Sequence, residues 1–377
     1  MTFAAPIRLS SRLRPSASPG LLFGSAATST IFVATSFAVP AVIDDYRVSA
    51  GAAVLISTAQ VGGFTLTNLV GGRRLVPSAD MARGALGVMV VTNLVSVFAP
   101  NFALLVMLRF LCGLAMGLFT WIAWADSADD DTRRGSIAAV GPLTSAVAAP
   151  LLAVAVNVGG LDAIYGTLAV VSVLCMLLPI TVEAAISHGR RPIEAKGILP
   201  VLLGMAGLTL GGSAVFVFIG VIARDQIGMS TVTLSIALSL NAVAGIPTAR
   251  YAGRRRFPGV FIMLTGCCAF LLTVADSTVM FMAIVTIWGM TFWLAVPETY
   301  ALLSERSRHP ADRIGDAQAI MSMGRVIGPT VGGALVAAGS FTVLGLVAGG
   351  VMIAGGLAVT YVSMSHRWDG AAAVDRT

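Results

Sequence analysis

Charge is scarce in this chain. Only 11% of its 377 residues are Asp, Glu, Lys or Arg, against roughly 25% in a soluble domain. So few charges cannot cover the surface of a water-soluble globule. Lysine is nearly missing. The single one, Lys196, is followed by Gly197, whereas a Walker loop needs Lys followed by Ser or Thr. Nucleotide-driven pumping is thereby excluded. Histidine is equally rare. His188, His309 and His366 fall in expected loops or the tail, so an intramembrane Ser-His-Asp enzyme lacks its base. Cys112, Cys175, Cys267 and Cys268 form no CxxC pair and lie in apolar stretches. That argues against structural disulfides and metal binding, and no cofactor is expected. The alternating ten-residue segments of a membrane β-barrel are missing too.

What the chain has is apolar length. Hydrophobic residues make up 56% of it, with a mean hydropathy of +0.89. A spanning helix needs about 20 apolar residues. Twelve stretches approach this: 21–43, 50–70, 85–100, 102–124, 135–157, 161–181, 199–222, 230–248, 258–275, 277–297, 314–338 and 341–364. The third and fourth meet at Pro100-Asn101, a tight turn. Without water each peptide group must bond within its own segment, so the stretches are read as helices. The expected fold is an all-α membrane protein of twelve transmembrane helices.

The net charge of +6 invites a nucleic-acid reading, but its placement excludes one. With the N-terminus inside and twelve crossings, 20 of the 24 basic residues fall on the cytoplasmic side. Arg47 and Arg224 fall outside, and Arg109 and Arg325 lie within spans. This is the positive-inside asymmetry. It predicts a multi-pass protein of the inner (plasma) membrane with both termini cytoplasmic. The first apolar stretch, 23 residues long, exceeds a signal-peptide core of roughly 7–15. It is read as an uncleaved span behind a disordered tail, 1–20.

The most polar stretch between two spans, 183–197, carries Arg190, Arg191, Pro192, Glu194 and Lys196. It divides the chain into a six-helix bundle, 21–182, and a second, 198–364, followed by a tail, 365–377. The halves look like repeats. Arg134-Gly135 reaches Pro150, and Arg313-Ile314-Gly315 reaches Pro329, a separation of 16 in both. Each Arg follows an acidic loop. Two pseudo-repeated six-helix bundles are the expected trace of duplication.

Three local motifs carry a family resemblance. Arg109-Phe110-Leu111-Cys112-Gly113 in the fourth span is similar to an Arg-x-x-x-Gly element, and Gly113 with Gly117 forms a GxxxG step. Gly328-Pro329-Thr330-Val331-Gly332-Gly333 in the eleventh is similar to a Gly-Pro-x-x-Gly-Gly element. In the fifth span the counterpart is taken as Ala149-Pro150. Between the second and third spans, Gly71-Gly72-Arg73-Arg74 and Asp80-Met81-Ala82-Arg83-Gly84 hold the pieces of a latch loop in scrambled order. The chain thus resembles the major facilitator superfamily, and most closely its drug:proton antiporter and sugar-efflux branch.

The resemblance implies a secondary active transporter that works by alternating access. It would export a small organic solute, a drug-like compound, sugar or metabolite, in exchange for protons. The expected partners are that substrate, protons and the bilayer, and the protein is expected to act as a monomer. Spans 1, 4, 7 and 10 would line the cavity, with Thr28, Arg109, Phe292, Trp293 and Glu298 as candidates. An arginine within a span costs roughly 3 kcal/mol on insertion scales. Arg109 either serves the cavity or caps carbonyls structurally. Glu298 is either an acid at membrane depth, able to carry a proton, or an ordinary loop acid. Gly113, Gly117, Pro150, Gly328, Pro329, Gly332 and Gly333 are candidates for helix packing. Asp80 and Arg83 form either a gating salt bridge or part of a positive-inside loop. The alternatives are a proton-independent facilitator or uptake permease, and a membrane receptor or scaffold without transport.

Overall fold

Long helices follow one another almost without interruption in the computed structural model, which describes residues 17–127, 131–182, 198–251, 257–305, 310–338 and 340–374. The expected linker 183–197, most of the N-terminal tail and the loop 252–256 lie outside the described residues. So do the side chains of Arg73, Arg74, Arg134 and Arg313.

The helices are α1 (Pro19–Tyr46), α2 (Ala50–Ala53), α3 (Leu55–Arg74), α4 (Ala79–Val97), α5 (Phe102–Asp126), α6 (Asp131–Met176) and α7 (Ile198–Phe216). They continue as α8 (Ile219–Asp225), α9 (Thr231–Tyr251), α10 (Pro258–Thr273), α11 (Thr278–Glu305), α12 (Pro310–Ala338) and α13 (Phe341–Val374). Among the described residues, nine helical segments are long and apolar enough to cross a membrane. Two shorter apolar ones are Thr231–Ile246 and Pro258–Thr273.

Local chemistry sets several boundaries. Pro19 and Pro258 open α1 and α10, where a missing N–H removes no helical bond. The Ser78 hydroxyl accepts from Met81 N at 3.2 Å, so α4 starts six residues before its apolar stretch. Asn101 Oδ1 accepts from Leu104 N at 2.9 Å and starts α5 at the expected Pro100-Asn101 turn. Helix α11 runs through Pro297 to Glu305, beyond its expected end.

Helix α6 is two limbs. Gly159 and Gly160 break it, with Gly160 at φ 57°, a left-handed conformation that glycine adopts without Cβ strain. A straight helix of its length would extend about 69 Å. Instead Gly141 lies beside Ser29, while Cys175 Sγ donates to the Phe23 carbonyl at 3.1 Å. Both ends of α6 therefore return to the first half of α1, and the limbs form a hairpin.

Close backbone approaches fix the packing. A Cβ on Gly113 or Gly117 of α5 would run into the carbonyls of Gln60 and Phe64 on α3. On α12, Gly324, Gly328 and Gly332 recur every four residues against Ala206, Leu210 and Ala214 of α7. Small residues allow this nearness where lipid supplies no hydrophobic drive between helices. The pairing repeats along the chain. Helix α3 packs on α5 as α9 packs on α11, and α4 packs on α6 as α10 packs on α13.

On α7, Gly204, Gly207 and Gly211 face Gly355, Val351 and Ala348 of α13, which makes them packing positions. Pro150 requires a correction. It is exposed on the outside of the first α6 limb, so it packs no helix pair. The counterpart of Gly328-Pro329 is Gly141-Pro142. Each of these pairs sits on a helix packed against the opening helix of its own run, α1 or α7.

Candidate functional site

A cavity of about 400 Å³ opens at mid-length between the earlier and later helices, within the range of roughly 300–1,000 Å³ usual for small-molecule sites. Helix periodicity selects its walls. On α11, Trp288 and Phe292 are one turn apart, as are Gly289 and Trp293, and all four face inward. On α12, Arg325 and Pro329 face the cavity while Gly324 and Gly328 turn to α7. Helix α7 supplies Thr209, Gly212, Ser213 and Phe216, and α1 supplies Ser29, Phe32, Thr35 and Ser36. Ser57 of α3, Pro142 and Ser145 of α6 and Asn241 of α9 complete the polar and small part of the wall.

The aromatic groups stand in two edge-to-face pairs. Phe216 and Trp288 have ring centroids 5.9 Å apart, and Phe292 and Trp293 5.8 Å. Such pairs hold their rings in fixed orientation, giving a rigid apolar surface. The hydroxyls are mostly turned to their own helices. Ser29 donates to the Ser25 carbonyl at 3.0 Å, Ser145 to Gly141 at 2.9 Å and Thr209 to Met205 at 3.0 Å. The Asn241 amide donates to the Val285 carbonyl at 2.7 Å.

The sequence-derived candidates distribute unevenly. Phe292, Trp293 and Pro329 line the cavity. Thr28 is buried and donates to the Gly24 carbonyl at 3.1 Å. It does not reach the wall, which Ser29 of the same helix does. Arg109 lies elsewhere, buried between α5, α4 and the second limb of α6. Its Nη1 donates to Asn93 Oδ1 at 2.9 Å, and Nη2 to Ser96 Oγ at 2.6 Å and the Thr92 carbonyl at 3.2 Å. Its guanidinium lies 4.4 Å from the Tyr165 ring centroid. Glu298 is 2% exposed, within α11 and outside the cavity lining. Gly333 approaches Gly51 at the junction of α12 with α2. Asp80 and Arg83 meet each other at 3.4 Å on one exposed turn of α4, joining no second helix.

Sequence reasoning missed Arg325, Pro142, Ser213 and Asn241 as site residues. Arg325 carried the same signal as Arg109, a cation inside an apolar stretch, and only the helix's rotation separates their surroundings. Among the described residues, no cluster of three His, Cys, Asp or Glu side chains suits a metal ion. Asp126 and Arg133, at the ends flanking the α5–α6 turn, pair at 3.2 Å.

Among the solved structures that share this architecture are two of a bacterial homologue of the human lysosomal transporter Spinster. The inward-facing occupied form matches with a TM-score of 0.69 at 13% identity, over 96% of each chain. The inward-facing unoccupied form gives 0.65 at 12% identity, again over 96% of each. Identity this low carries the fold alone. No curated protein matches the sequence. The sequence profile of the Major Facilitator Superfamily, however, matches residues 21–325, most of the chain, and the chain therefore belongs to that superfamily.

Proposed function

We propose that this protein is a proton-coupled exporter of a small organic solute, working by alternating access as a monomer in the inner membrane. Family membership already makes it a multi-pass membrane transporter and not an enzyme. The proposal adds twelve crossings, bundles at 21–182 and 198–364 joined by 183–197, and both termini in the cytoplasm. It also adds the direction of transport and its coupling.

The observation that carries the reading is the mid-length cavity walled by helices of both halves. A site there can open to either side if the halves rock about it. Contacts between the halves at the end holding Asp44 favour an inward-facing state. Arg224 pairs with Asp44, Gly220 abuts Ser36, and Gly51 approaches Gly333. Export follows from the likeness to the efflux branch. Glu298, buried on α11, is the proposed proton carrier, because an acid at membrane depth can change charge during the cycle.

The test is solute-triggered proton movement in proteoliposomes, across a panel of drugs, sugars and organic acids, with wild type beside Glu298→Gln. A proton flux with one solute, lost in the variant, supports coupled transport. Solute flux indifferent to imposed pH and to Glu298→Gln would leave a facilitator. No flux or binding across the panel would favour a receptor or scaffold.

A further inference from the structure

We infer that the transported solute is an organic anion with an aromatic or otherwise flat apolar body, its single negative charge held by Arg325. The inference rests on the transporter reading and names the substrate class of the same cavity.

Charge comes first. Among the described residues, Arg325 is the one charged side chain in the cavity lining, with no Asp, Glu, Lys or His beside it. It stands on α12 one turn before Pro329, half-buried. Among the described residues, no hydrogen bond or ion pair engages its guanidinium, and no described carboxylate lies within salt-bridge distance. A guanidinium cannot shed its proton in a protein, so burial leaves it charged and uncompensated. Arg109, the other arginine inside a span, has acceptors at three positions and an aromatic face. The contrast separates an arginine built into the fold from one left open toward a cavity.

Donor supply comes second. Ser29, Ser145, Thr209 and Ser213 already give their protons to backbone carbonyls, and the Asn241 amide gives one to Val285. The uncommitted groups include the indole N–H of Trp288 and of Trp293, for which no acceptor stands among the described residues. Indole donates and does not accept. The hydroxyls of Thr35, Ser36 and Ser57 are free to turn either way. A cation with uncommitted donors suits an anionic oxygen, since charge-assisted hydrogen bonds are shorter and stronger than neutral ones. It repels an ammonium group.

Shape comes third. The two aromatic pairs and Phe32 offer flat apolar surfaces to the remainder of the ligand. One cation matches one negative charge, so a monocarboxylate fits better than a dianion such as a phosphate monoester.

The experiment uses the full chain, purified in detergent and reconstituted. Probes are a charge series on one ring: indole-3-acetate, its neutral amide, and tryptamine. Binding is read by isothermal titration and transport by counterflow. The expected result is about ten- to a hundredfold tighter binding of the carboxylate than of the amide, with tryptamine weakest. In Arg325→Gln the carboxylate should fall to the amide's affinity while the amide is unchanged. Arg325→Lys should keep part of the preference. Equal affinity across the series, preference for tryptamine, no binding of any member, or discrimination unchanged in Arg325→Gln would each overturn the inference. Should Arg325→Gln fail to fold, the wild-type series and Arg325→Lys decide. Selective carboxylate binding without counterflow would keep the anion site and remove the transporter reading. Counterflow of neutral or cationic solutes alone would do the reverse.

Discussion

Arg224 Nη1 stands 2.7 Å from Asp44 Oδ2 and ties α8 to the last turn of α1. The Arg224 side chain is 36% exposed and that of Asp44 64%, so solvent screens the pair. Beneath it, Gly220 abuts the Ser36 carbonyl and the Pro40 ring with no room for a Cβ. Overpacking at such a backbone contact should cost more than the loss of a screened ion pair.

Asp44→Asn should therefore lower stability by no more than about 1 kcal/mol, and the loss should shrink in high salt. Gly220→Leu should cost about 1–3 kcal/mol or more through overpacking, independent of salt. Thermal unfolding in detergent at two salt concentrations checks both. Equal losses from the two variants would contradict this ranking.

The Arg109 network should behave as a structural unit. Arg109→Ala leaves the Asn93 carbonyl oxygen and the Ser96 hydroxyl oxygen without their donor, while the Thr92 carbonyl keeps the Ser96 hydroxyl, and a buried polar group left unsatisfied costs about 1–3 kcal/mol. Tyr165→Phe keeps the ring under the guanidinium and should be mild, whereas Tyr165→Leu should lose roughly 0.5–2 kcal/mol more. A double-mutant cycle of Arg109 with Asn93, read by melting temperature, should show coupling. Additive losses would mean that the hydrogen bond contributes nothing. An Arg109→Ala protein as stable as wild type yet inactive in transport would move Arg109 from the fold to the mechanism.

Close-packed and open glycines should differ in sign. Gly117→Val would push α5 off α3 at the Phe64 carbonyl and cost about 1–3 kcal/mol. Gly166, on the second limb of α6, has nothing within 4 Å of a built Cβ. Gly166→Ala should be neutral or gain up to about 1 kcal/mol from helix propensity. The melting temperatures of the purified variants decide the matter.

Proline substitutions should sort by placement. Pro142 and Pro329 line the cavity, and Pro150 is exposed on the outside of the first α6 limb. Pro142→Ala and Pro329→Ala should each change the initial rate of solute transport in proteoliposomes several-fold, since restoring a backbone donor straightens the cavity wall. Pro150→Ala should leave the rate within error. A change confined to Pro150→Ala would contradict the assignment of these prolines to the cavity wall.

Much of the architecture was legible in the residue string because the bilayer imposes few choices. Apolar stretches of spanning length had to be helical. Turn chemistry was equally local. Asn101 begins α5 where a Pro-Asn turn was expected, and the break at Gly159-Gly160 falls between the fifth and sixth apolar stretches. Boundaries slipped where polar residues continue a helix past its apolar part. Ser78 extends α4, and Glu298 lies inside α11 rather than at its edge.

The direction in which each helix faces was not legible. A water-soluble helix shows its buried side by an apolar stripe. In lipid the outward face is apolar too: Val91, Leu94 and Val95 of α4 are exposed, on the same helix whose Asn93 and Ser96 are buried. The sequence by itself therefore determined the class and the helical character of the long apolar stretches, and it placed Arg109 and Arg325 inside such stretches while singling out only Arg109. Only the tertiary structure decided that Arg109 closes on Asn93, Ser96 and Tyr165 while Arg325 opens on the cavity. The reason is that rotation about a helix axis is set by packing against neighbours, which no periodicity along the chain records.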